Sequence, residues 1–285
     1  MIFLLSGTKN GNELAEKLLE KGYKILLSFA TDINSEYVEF LKSLYKDFLF
    51  VNYKKLDFNL MLDYIEKFKI EWLIDATHPF SIEVTKNAIN ASKKKKIKYI
   101  RYEREEVNLL SKNHKNFNKL LLEKNSYSYN NINSKYKSNI VYLNSFKEAA
   151  RFLEKKKEYN VFFTIGVKNL DFFRKTLEDK NRKVFVKVLP ILKSLNKCNE
   201  LGIKISQIIA CYQPWGVKMI KSFIEENSID IIVTKQSGKV GGEDAKILAA
   251  LETGTKILII KRPILEYPEV YYNVNDIIER LNKKI

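Results

Sequence analysis

Cysteine and histidine are scarce in this chain of 285 residues, which contains two of each. A disulfide framework needs several cysteine pairs, and a structural zinc site needs about four thiolate or imidazole ligands. Cys198 and Cys211 are separated by twelve residues and only two histidines are present, so this pattern predicts neither kind of site, and we expect no bound metal. Cys198 and Cys211 are expected to be buried and to act as small apolar side chains.

Long apolar runs are also absent. No segment reaches the roughly 18 consecutive apolar residues that a membrane-spanning helix needs, and the first residues lack the basic region of a signal peptide. We therefore expect a cytoplasmic protein that does not bind membranes. Its 45% of apolar and 29% of charged residues are ordinary for a globular protein. The chain length favours two domains of moderate size.

The sequence has an excess of positive charge, with a formal net charge of +16. Such a charge is typical of proteins that bind nucleic acids or polyanionic small molecules. The lysines are spread over the whole sequence among many Asn, Ile and Tyr residues, so a compositional bias is the other interpretation. The densest cluster, at residues 93–96, lies where a helix should end, and the helix dipole explains it adequately.

Short apolar strands alternate with helices over most of the sequence. The alternation over residues 1–104 predicts one doubly wound parallel domain, and the alternation over residues 139–285 predicts a second, closed by an amphipathic helix. Residues 105–138 are rich in Asn, Ser, Lys and Tyr and are interpreted as a polar linker or insertion. We therefore predict an α/β protein of two Rossmann-like domains with a cleft between them.

The first predicted strand ends in Ser6-Gly7-Thr8, and a helix follows. Glycine at such a turn lets the backbone approach a phosphate, while the helix N-terminus supplies N–H donors. The spacing of Gly7 and Gly11 differs from the Gly-x-Gly-x-x-Gly dinucleotide fingerprint, so a plain tight turn is the alternative.

Residues 75–80 have the sequence Asp-Ala-Thr-His-Pro-Phe and follow a short apolar strand. Thr77 suits the N-cap of a helix and Pro79 suits its first position, which predicts a helix beginning at about residue 79. The carboxyl end of a parallel strand is where ligands bind in open sheets. This turn, with His78 in it, is therefore a candidate binding site.

Polar residues also follow the strands predicted in the second half of the chain. A glycine-rich loop over residues 237–246 enters a helix, with Lys235 just ahead of it. Backbone N–H groups and a lysine together suit an anionic group, although a flexible loop with a helix cap is the alternative interpretation. The strand ends in question are Thr164-Ile165-Gly166, Tyr212-Gln213-Pro214 and Thr234-Lys235-Gln236-Ser237.

Residues 75–80 resemble the signature of the precorrin-6A and cobalt-precorrin-6A reductases of corrin biosynthesis. Similar motifs occur in the family's order along nearly all of the chain outside residues 108–138. They are Ser6-Gly7-Thr8, Ala30-Thr31-Asp32, Tyr99-Ile100-Arg101-Tyr102-Glu103-Arg104, Thr164-Ile165-Gly166-Val167-Lys168, Val233-Thr234-Lys235, Ser237-Gly238, Gly241-Gly242 and Lys261-Arg262-Pro263.

The resemblance implies an oxidoreductase of cobalamin biosynthesis that reduces one carbon–carbon double bond of a tetrapyrrole with NADPH or NADH. The substrate it implies is (cobalt-)precorrin-6A, a macrocycle with many carboxylates, and the product is (cobalt-)precorrin-6B. The coenzyme-binding residues are then expected to be Ser6, Gly7, Thr8, Thr31, Asp32, Thr77, His78 and Pro79. The substrate-binding residues are expected to be Arg101, Arg104, Thr164, Gly166, Lys168, Tyr212, Thr234, Lys235, Ser237 and Gly241.

A proton must also reach the reduced product, and His78, Tyr212 and Lys235 are the catalytic candidates, unranked, because any of them could serve only in binding. The coenzyme stays open as well, since Asp32 favours NADH whereas Lys9 favours the extra phosphate of NADPH. We expect a monomer that binds no nucleic acid. The alternatives are a basic nucleic-acid-binding protein, which would lack any recognition motif here, and a nucleotide-binding regulator without turnover.

Overall fold

The computed structural model describes residues 1–29, 35–104, 107 and 138–283. The chain forms two compact units: unit 1 comprises Met1–Glu105 and Pro263–Ile285, and unit 2 comprises Glu106–Arg262. The predicted assignment of residues 139–285 to the second domain is therefore corrected, because the last segment returns to unit 1. The predicted linker lies outside the described residues except for Val107 and Ser138.

Helices and strands follow the predicted alternation in both units. The strands are β1 Ile2–Leu5, β2 Ile25–Ser28, β3 Leu49–Asn52, β4 Trp72–Asp75, β5 Lys98–Tyr102, β6 Ile140–Leu143, β7 Val161–Phe163, β8 Val184–Val188, β9 Ile208–Ala210, β10 Ile231–Lys235, β11 Lys256–Ile260 and β12 Val270–Tyr271. The described α-helices are numbered α1 Lys9–Glu20, α2 Ser35–Leu44, α3 Phe58–Lys67, α4 Ile82–Lys95, α5 Phe146–Glu154, α6 Arg174–Glu178, α7 Leu192–Glu200, α8 Val217–Asn227, α9 Glu243–Thr253 and α10 Val274–Asn282.

Unit 1 is built on a six-stranded parallel sheet in the order β12-β5-β4-β1-β2-β3. Its central strands are fully buried runs of Ile, Leu and Phe, as expected for a parallel sheet covered by helices on both faces. The chain runs from β1 through β2 to β3 on one side and then crosses to β4 and β5 on the other. The carboxyl ends of β1 and β4 therefore flank the topological switch point, where open sheets bind ligands.

Unit 2 contains a second six-stranded parallel sheet, in the order β6-β11-β10-β7-β8-β9. From β7 the chain runs outward through β8 to β9, and it then returns to β10 on the other side of β7. The switch point of this sheet lies between the carboxyl ends of β7 and β10. The predicted fold class, α/β with two doubly wound parallel sheets, is confirmed. The cleft between the halves stays a prediction.

Two expectations from the composition can be compared with the described residues. Cys198 is buried as expected, whereas Cys211 is only half-buried and its Sγ lies 3.4 Å from the carbonyl oxygen of Gln213. Across the described ranges, no helix is long and apolar enough to cross a membrane. Among the same residues, no group of three or more His, Cys, Asp and Glu side chains is arranged to hold a metal ion.

Candidate functional site

The loop between β1 and α1 forms the first half of the candidate site in unit 1. Gly7 adopts φ +103°, a conformation that L side chains rarely adopt, and it turns the chain sharply out of the sheet. Thr8 is the N-cap of α1, and its Oγ1 accepts the backbone N–H of Gly11 at 3.1 Å. The helix begins at Lys9, directly after its cap Thr8. The first turn therefore faces the strand end with its backbone N–H groups.

Gly11 is required by close packing between α1 and the sheet. A Cβ atom on Gly11 would lie 2.4 Å from Ser6 Oγ and 3.2 Å from the Cβ of Ala76. Ser6 is itself buried, and its Oγ hydrogen-bonds to Asn12 Oδ1 at 3.0 Å. The helix can approach both β1 and the residue after β4 only because position 11 has no side chain.

Thr8 links this loop to the turn that follows β4. Its hydroxyl donates a hydrogen bond of 2.9 Å to the carbonyl oxygen of Ala76, and both groups are buried. The backbone N–H of Ala76 in turn donates to the carbonyl of Leu5 at 2.9 Å. The predicted residues Ser6, Gly7 and Thr8 are thus brought beside Thr77 at the switch point of the sheet.

The turn after β4 differs from its prediction. Thr77 is not an N-cap: α4 begins at Ile82, and Ser81 occupies the N-cap position. Residues 78–81 instead form a tight turn closed by the bond from Ser81 N–H to the carbonyl of His78, at 2.8 Å. Pro79 therefore occupies the second position of a turn, which its fixed φ also suits, and not the first turn of the helix.

His78 is half-buried in this turn and contacts Phe80 through a hydrogen bond and through its ring. Its Nδ1 accepts the backbone N–H of Phe80 at 3.2 Å, and the two rings lie 5.8 Å apart. Because Nδ1 is the acceptor, the neutral imidazole carries its proton on Nε2. His78 is thereby oriented as an Nε2–H donor at the carboxyl end of β4.

Thr77 is held by Asp75, the last residue of β4, which is completely buried. Asp75 Oδ1 accepts the Thr77 hydroxyl at 2.6 Å and the Thr77 backbone N–H at 2.9 Å. Oδ2 accepts the hydroxyls of Thr85 at 2.7 Å and Tyr99 at 3.1 Å. The carboxylate accepts donors from the turn after β4, from α4 and from β5, and thus fixes the backbone of the turn at one end.

Arg101 neutralises this carboxylate and is itself only 1% exposed. One guanidinium nitrogen lies 2.9 Å from Asp75 Oδ1, and Nε lies 3.1 Å from Glu103 Oε2. The remaining nitrogen donates to the Thr77 carbonyl at 2.9 Å. These donors of Arg101 are directed at groups of unit 1 itself, and its contact with substrate carboxylates stays a prediction.

The surroundings shift two pKa values in this network. Burial, followed by the charge of Asp75, raises the pKa of Tyr99 far above its ordinary value. Burial disfavours the charge of Arg101, yet Asp75 and Glu103 together raise its pKa above the usual range. Tyr99 therefore stays neutral and Arg101 stays charged at all physiological pH values.

Arg104 follows the same strand and is buried as well. Its backbone N–H donates to Glu103 Oε1 at 2.8 Å. Glu103 also accepts the hydroxyl of Tyr267 at 3.5 Å, and the Tyr267 ring lies 5.5 Å from the Arg101 guanidinium carbon. Tyr267 belongs to the returning C-terminal segment and was missed by sequence reasoning, because nothing local to it indicates that the segment rejoins unit 1. The predicted coenzyme residues Thr31 and Asp32 lie outside the described residues.

In unit 2, the predicted substrate residues gather around the switch point between β7 and β10. The backbone N–H and the hydroxyl of Thr164 both donate to the carbonyl of Val233, at 2.9 and 3.1 Å. Gly166 follows with φ +72° and precedes a 3-10 helix over Val167–Phe173. Thr234, within β10, is 0% exposed, and its buried hydroxyl has no hydrogen-bond partner among the described residues, so its contact with substrate stays a prediction.

Lys235 ends β10, and a glycine-rich loop leads from it into α9. Gly238 and Gly242 adopt φ +75° and +65°, and the Gly238 N–H donates to the buried carboxylate of Glu243 at 2.7 Å. Ser237 is buried, whereas Gly241 is half-buried. The loop is thus a defined turn fixed by its own helix.

Two lysines near this loop were not among the predicted site residues. Lys246, in the second turn of α9, donates from Nζ to the Gly241 carbonyl at 2.9 Å. Lys187, on β8, donates to the carbonyl of Gln213 at 3.1 Å and lies 3.4 Å from that of Cys211. Burial, then the charges of Lys187 and Lys235, lower the pKa of Lys246 to about 8. Sequence reasoning passed over both residues, since lysine is common everywhere in the chain.

The remaining predicted residues of unit 2 lie on its surface. Tyr212 is 52% exposed in the loop after β9, and Lys168 is exposed at the start of the 3-10 helix. Both side chains are accessible to a ligand at the carboxyl edge of the sheet. Their roles stay predictions.

Comparison with known proteins gives the family. The family model described as "Precorrin-6x reductase CbiJ/CobK" matches residues 1–282 of the chain. The chain belongs to this family. It is 32% identical over 286 aligned positions to the cobalt-precorrin-6A reductase of Methanocaldococcus jannaschii, with 100% of this chain and 99% of the relative covered. It is 30% identical to the cobalt-precorrin-6A reductase of Priestia megaterium, with 99% and 98% covered.

A solved structure described as CobK precorrin-6A reductase has the same fold. It matches with a TM-score of 0.72 and 17% sequence identity, over 98% of this chain and 95% of that one. The family predicted from residues 75–80 and the accompanying motifs is thus confirmed. Neither the nucleic-acid-binding alternative nor the non-catalytic regulator is supported by these matches.

Proposed function

We propose that this chain reduces one carbon–carbon double bond of precorrin-6A or cobalt-precorrin-6A with hydride from NADPH or NADH. The observation that carries the proposal is the switch point of unit 1. There, the Thr8 hydroxyl joins the glycine loop after β1 to the turn after β4, in a chain that belongs to a reductase family. This is the position at which doubly wound sheets bind dinucleotides.

The residues at this switch point suit a pyrophosphate. A Cβ on Gly7 would meet no atom within 4 Å, so the backbone there is open to close approach by a ligand. The first turn of α1 supplies N–H donors and the positive end of a helix dipole. Ser6, Gly7 and Thr8 from one loop, with Thr77, His78 and Pro79 from the other, are the coenzyme-binding residues that we propose. When bound, the coenzyme supplies the hydride.

The substrate-binding residues are proposed in unit 2. Thr164 and Gly166 follow β7, Lys235 ends β10, and Ser237 and Gly241 lie in the loop that leads to α9. Tyr212 and Lys168 reach the same edge from exposed positions. A macrocycle with several carboxylates would be positioned by charge-assisted hydrogen bonds from the lysines. The task of the chain is then to hold the substrate and exclude water.

His78 is one candidate for the proton donor, with Tyr212 and Lys235 as the others. Its Nδ1 accepts the Phe80 N–H, so the proton of the neutral ring is on Nε2. We further propose that the coenzyme is NADPH or NADH, that the protein is a monomer, and that it binds no nucleic acid.

The reduction is tested by following the absorbance of the reduced nicotinamide, with NADH and NADPH each combined with precorrin-6A and cobalt-precorrin-6A. We expect oxidation of at least one coenzyme that depends on the precursor. His78→Ala and Lys235→Ala should lower the rate much more than they lower the melting temperature, since neither side chain belongs to the core. Lys183→Ala, exposed at the amino edge of the unit 2 sheet, is the matched control. If neither coenzyme is oxidised with either precursor, the proposal fails.

A further inference from the structure

Three lysines meet at the carboxyl edge of the unit 2 sheet. Lys187 lies one residue before the end of β8, Lys235 is the last residue of β10, and Lys246 lies in α9, which follows the glycine-rich loop. Lys187 and Lys235 are close enough for their charges to act on the ammonium group of Lys246. Three elements separated along the chain therefore bring their positive charges to one place.

Lys187 and Lys246 are bound only to neutral groups. Nζ of Lys246 donates to the Gly241 carbonyl at 2.9 Å, and Nζ of Lys187 donates to the Gln213 carbonyl at 3.1 Å. Within the described part of the chain, neither ammonium has a carboxylate at ion-pair distance. Carbonyl dipoles orient the two ammonium groups without neutralising them, so an anion that contacted both would relieve their repulsion.

The two carbonyls that orient these lysines are themselves neighbours. A Cβ on Gly242 would lie 3.1 Å from the Cβ of Pro214, so the loop after β9 packs against the loop after β10. Gln213 and Gly241, which accept the two ammonium groups, are adjacent in sequence to this contact. Two loops that pack against each other therefore orient the two ammonium groups.

Two acidic residues face the same region and leave the site positive. Glu243 and Asp244 both raise the pKa of Lys246, but less than burial and the two lysines lower it. Glu243 accepts the Gly238 N–H at 2.7 Å, and Asp244 accepts the Ala245 N–H at 2.9 Å. One oxygen of each carboxylate thus accepts a backbone N–H at the start of α9.

We infer that Lys187, Lys235 and Lys246 form an oxyanion site, and that it takes a carboxylate arm of the tetrapyrrole. The inference rests on the proposed function for the identity of the ligand. A phosphate of the coenzyme is the other source of an oxyanion. The carboxylate is favoured because the glycine loop and the helix N-terminus proposed for the coenzyme phosphates are in unit 1.

The affinity of this site for an anion should fall as the pH rises. Free Lys246, with its pKa near 8, loses its charge as the pH rises through that value. A bound carboxylate favours the charged form and raises this pKa again, so binding takes up a proton above pH 8. Affinity for the anion should therefore be highest below about pH 7 and fall between about pH 7 and 9, within the range over which ordinary lysines stay charged.

The test is competitive acetylation of the intact protein, with each lysine quantified by mass spectrometry across this pH range. The arms are no addition, NADPH alone, NADH alone, citrate as a simple polycarboxylate, and cobalt-precorrin-6A. We expect Lys246 to react with a midpoint near pH 8. Citrate and cobalt-precorrin-6A should protect Lys187, Lys235 and Lys246 together, whereas Lys183 at the opposite edge of the sheet should react equally in every arm.

Two substitutions of Lys246 test whether its positive charge is what binds the anion. Lys246→Met should weaken citrate and precursor binding by roughly tenfold or more, the usual effect of losing one charge-assisted hydrogen bond. Lys246→Arg should keep the affinity and lose its decline between about pH 7 and 9, since arginine stays charged there. Lys183→Met should change neither.

The outcomes distinguish this inference from the proposed function. Protection by citrate and precursor, with no coenzyme oxidation, would sustain the oxyanion site and overturn the reductase activity. Normal reduction without protection of Lys246 would overturn the site alone. Protection of the three lysines by coenzyme alone would overturn the assignment to a substrate carboxylate. If Lys246→Met bound citrate and precursor as tightly as the wild type does, the proposed role of Lys246 would be wrong.

Discussion

At the scale of single residues, Gly11 controls how closely α1 approaches the sheet. We expect Gly11→Ala to lower the free energy of unfolding of unit 1 by about 1–3 kcal/mol, the usual result of overpacking. The new Cβ would lie 3.1 Å from the Cβ of Ser6 and nearer still to its Oγ. Urea denaturation measures the loss, and coenzyme titration should show weaker binding because the Thr8 cap must shift.

The control for this substitution is the double variant Ser6→Ala with Gly11→Ala. Removing the Ser6 hydroxyl eliminates the shortest contact, at 2.4 Å, so the double variant should recover part of the lost stability. A Gly11→Ala protein as stable as wild type would contradict the packing described for the β1–α1 loop.

Asp75 is the residue on which the turn after β4 depends. Asp75→Asn leaves Arg101 buried with one carboxylate partner instead of two, and it replaces one acceptor oxygen by a donor. Breaking a buried ion pair in this way costs about 3–5 kcal/mol. We expect a loss of this size in urea denaturation, and a loss of coenzyme affinity since Thr77 is no longer fixed.

The same chemical change at an exposed position gives the comparison. Asp63→Asn, on the solvent face of α3, should alter stability by no more than about 0.5 kcal/mol. If the Asp75 variant lost no more stability than the Asp63 variant, the network around Arg101 would not be what holds the turn.

At the scale of elements, the limits of sequence reasoning are clearest around Thr77. Thr followed by Pro two residues later satisfies the local rules for a helix start, and those rules placed the N-cap at Thr77. In the fold, the Thr77 hydroxyl donates to Asp75 at 2.6 Å, and the helix begins five residues later. Local capping was outweighed by a buried carboxylate that needed donors, and Arg101, which neutralises it, lies on the next strand.

The returning segment β12–α10 was predicted in part. The amphipathic pattern of α10 was evident, but β12 has only two residues and adds to the edge of β5, which no local periodicity reveals. The helix buries Val274, Ile277, Ile278 and Leu281 in the unit 1 core. The membership of this segment in unit 1 therefore follows from tertiary packing, and sequence order pointed to the wrong domain.

A substitution in α10 tests that packing. Ile277 is 0% exposed, and Ile277→Ala should destabilise unit 1 by about 2–5 kcal/mol through the cavity it leaves. Hydrogen exchange should show faster opening of β1 and β5 and not of β7 or β10. Glu279→Ala, on the exposed face of the same helix, should have little effect. Faster exchange in the unit 2 strands alone would place α10 in the other core.

At the scale of the whole molecule, the net charge of +16 has two interpretations that an experiment can separate. If the lysines attract an anionic macrocycle, KM should rise several-fold as salt shortens the Debye length from about 10 Å at 0.1 M to about 3 Å at 1 M, with kcat retained. Sucrose at matched osmolality should leave KM unchanged. A KM that is flat with salt would favour compositional bias.

The architecture as a whole was predictable, because parallel strands and their covering helices leave a strong alternating pattern. The strand order and the two switch points were not predicted, whereas the polar residues that follow these strands were. The buried contacts of Arg101 were not predicted, since two of its partners, Asp75 and Tyr267, lie far from it in sequence. Lys187 and Lys246 were missed because lysine is common throughout the chain.

The return of the C-terminal segment has a consequence for biosynthesis. Residues 263–283 are synthesised after all of unit 2, so the sheet of unit 1 lacks its sixth strand and its core lacks α10 until that segment has been made. Unit 2, which is continuous in sequence, can complete its fold first. Unit 2 then folds before unit 1, which is the reverse of the usual N-terminal-first order. Until β12 is made, the edge of β5 in unit 1 stays unpaired.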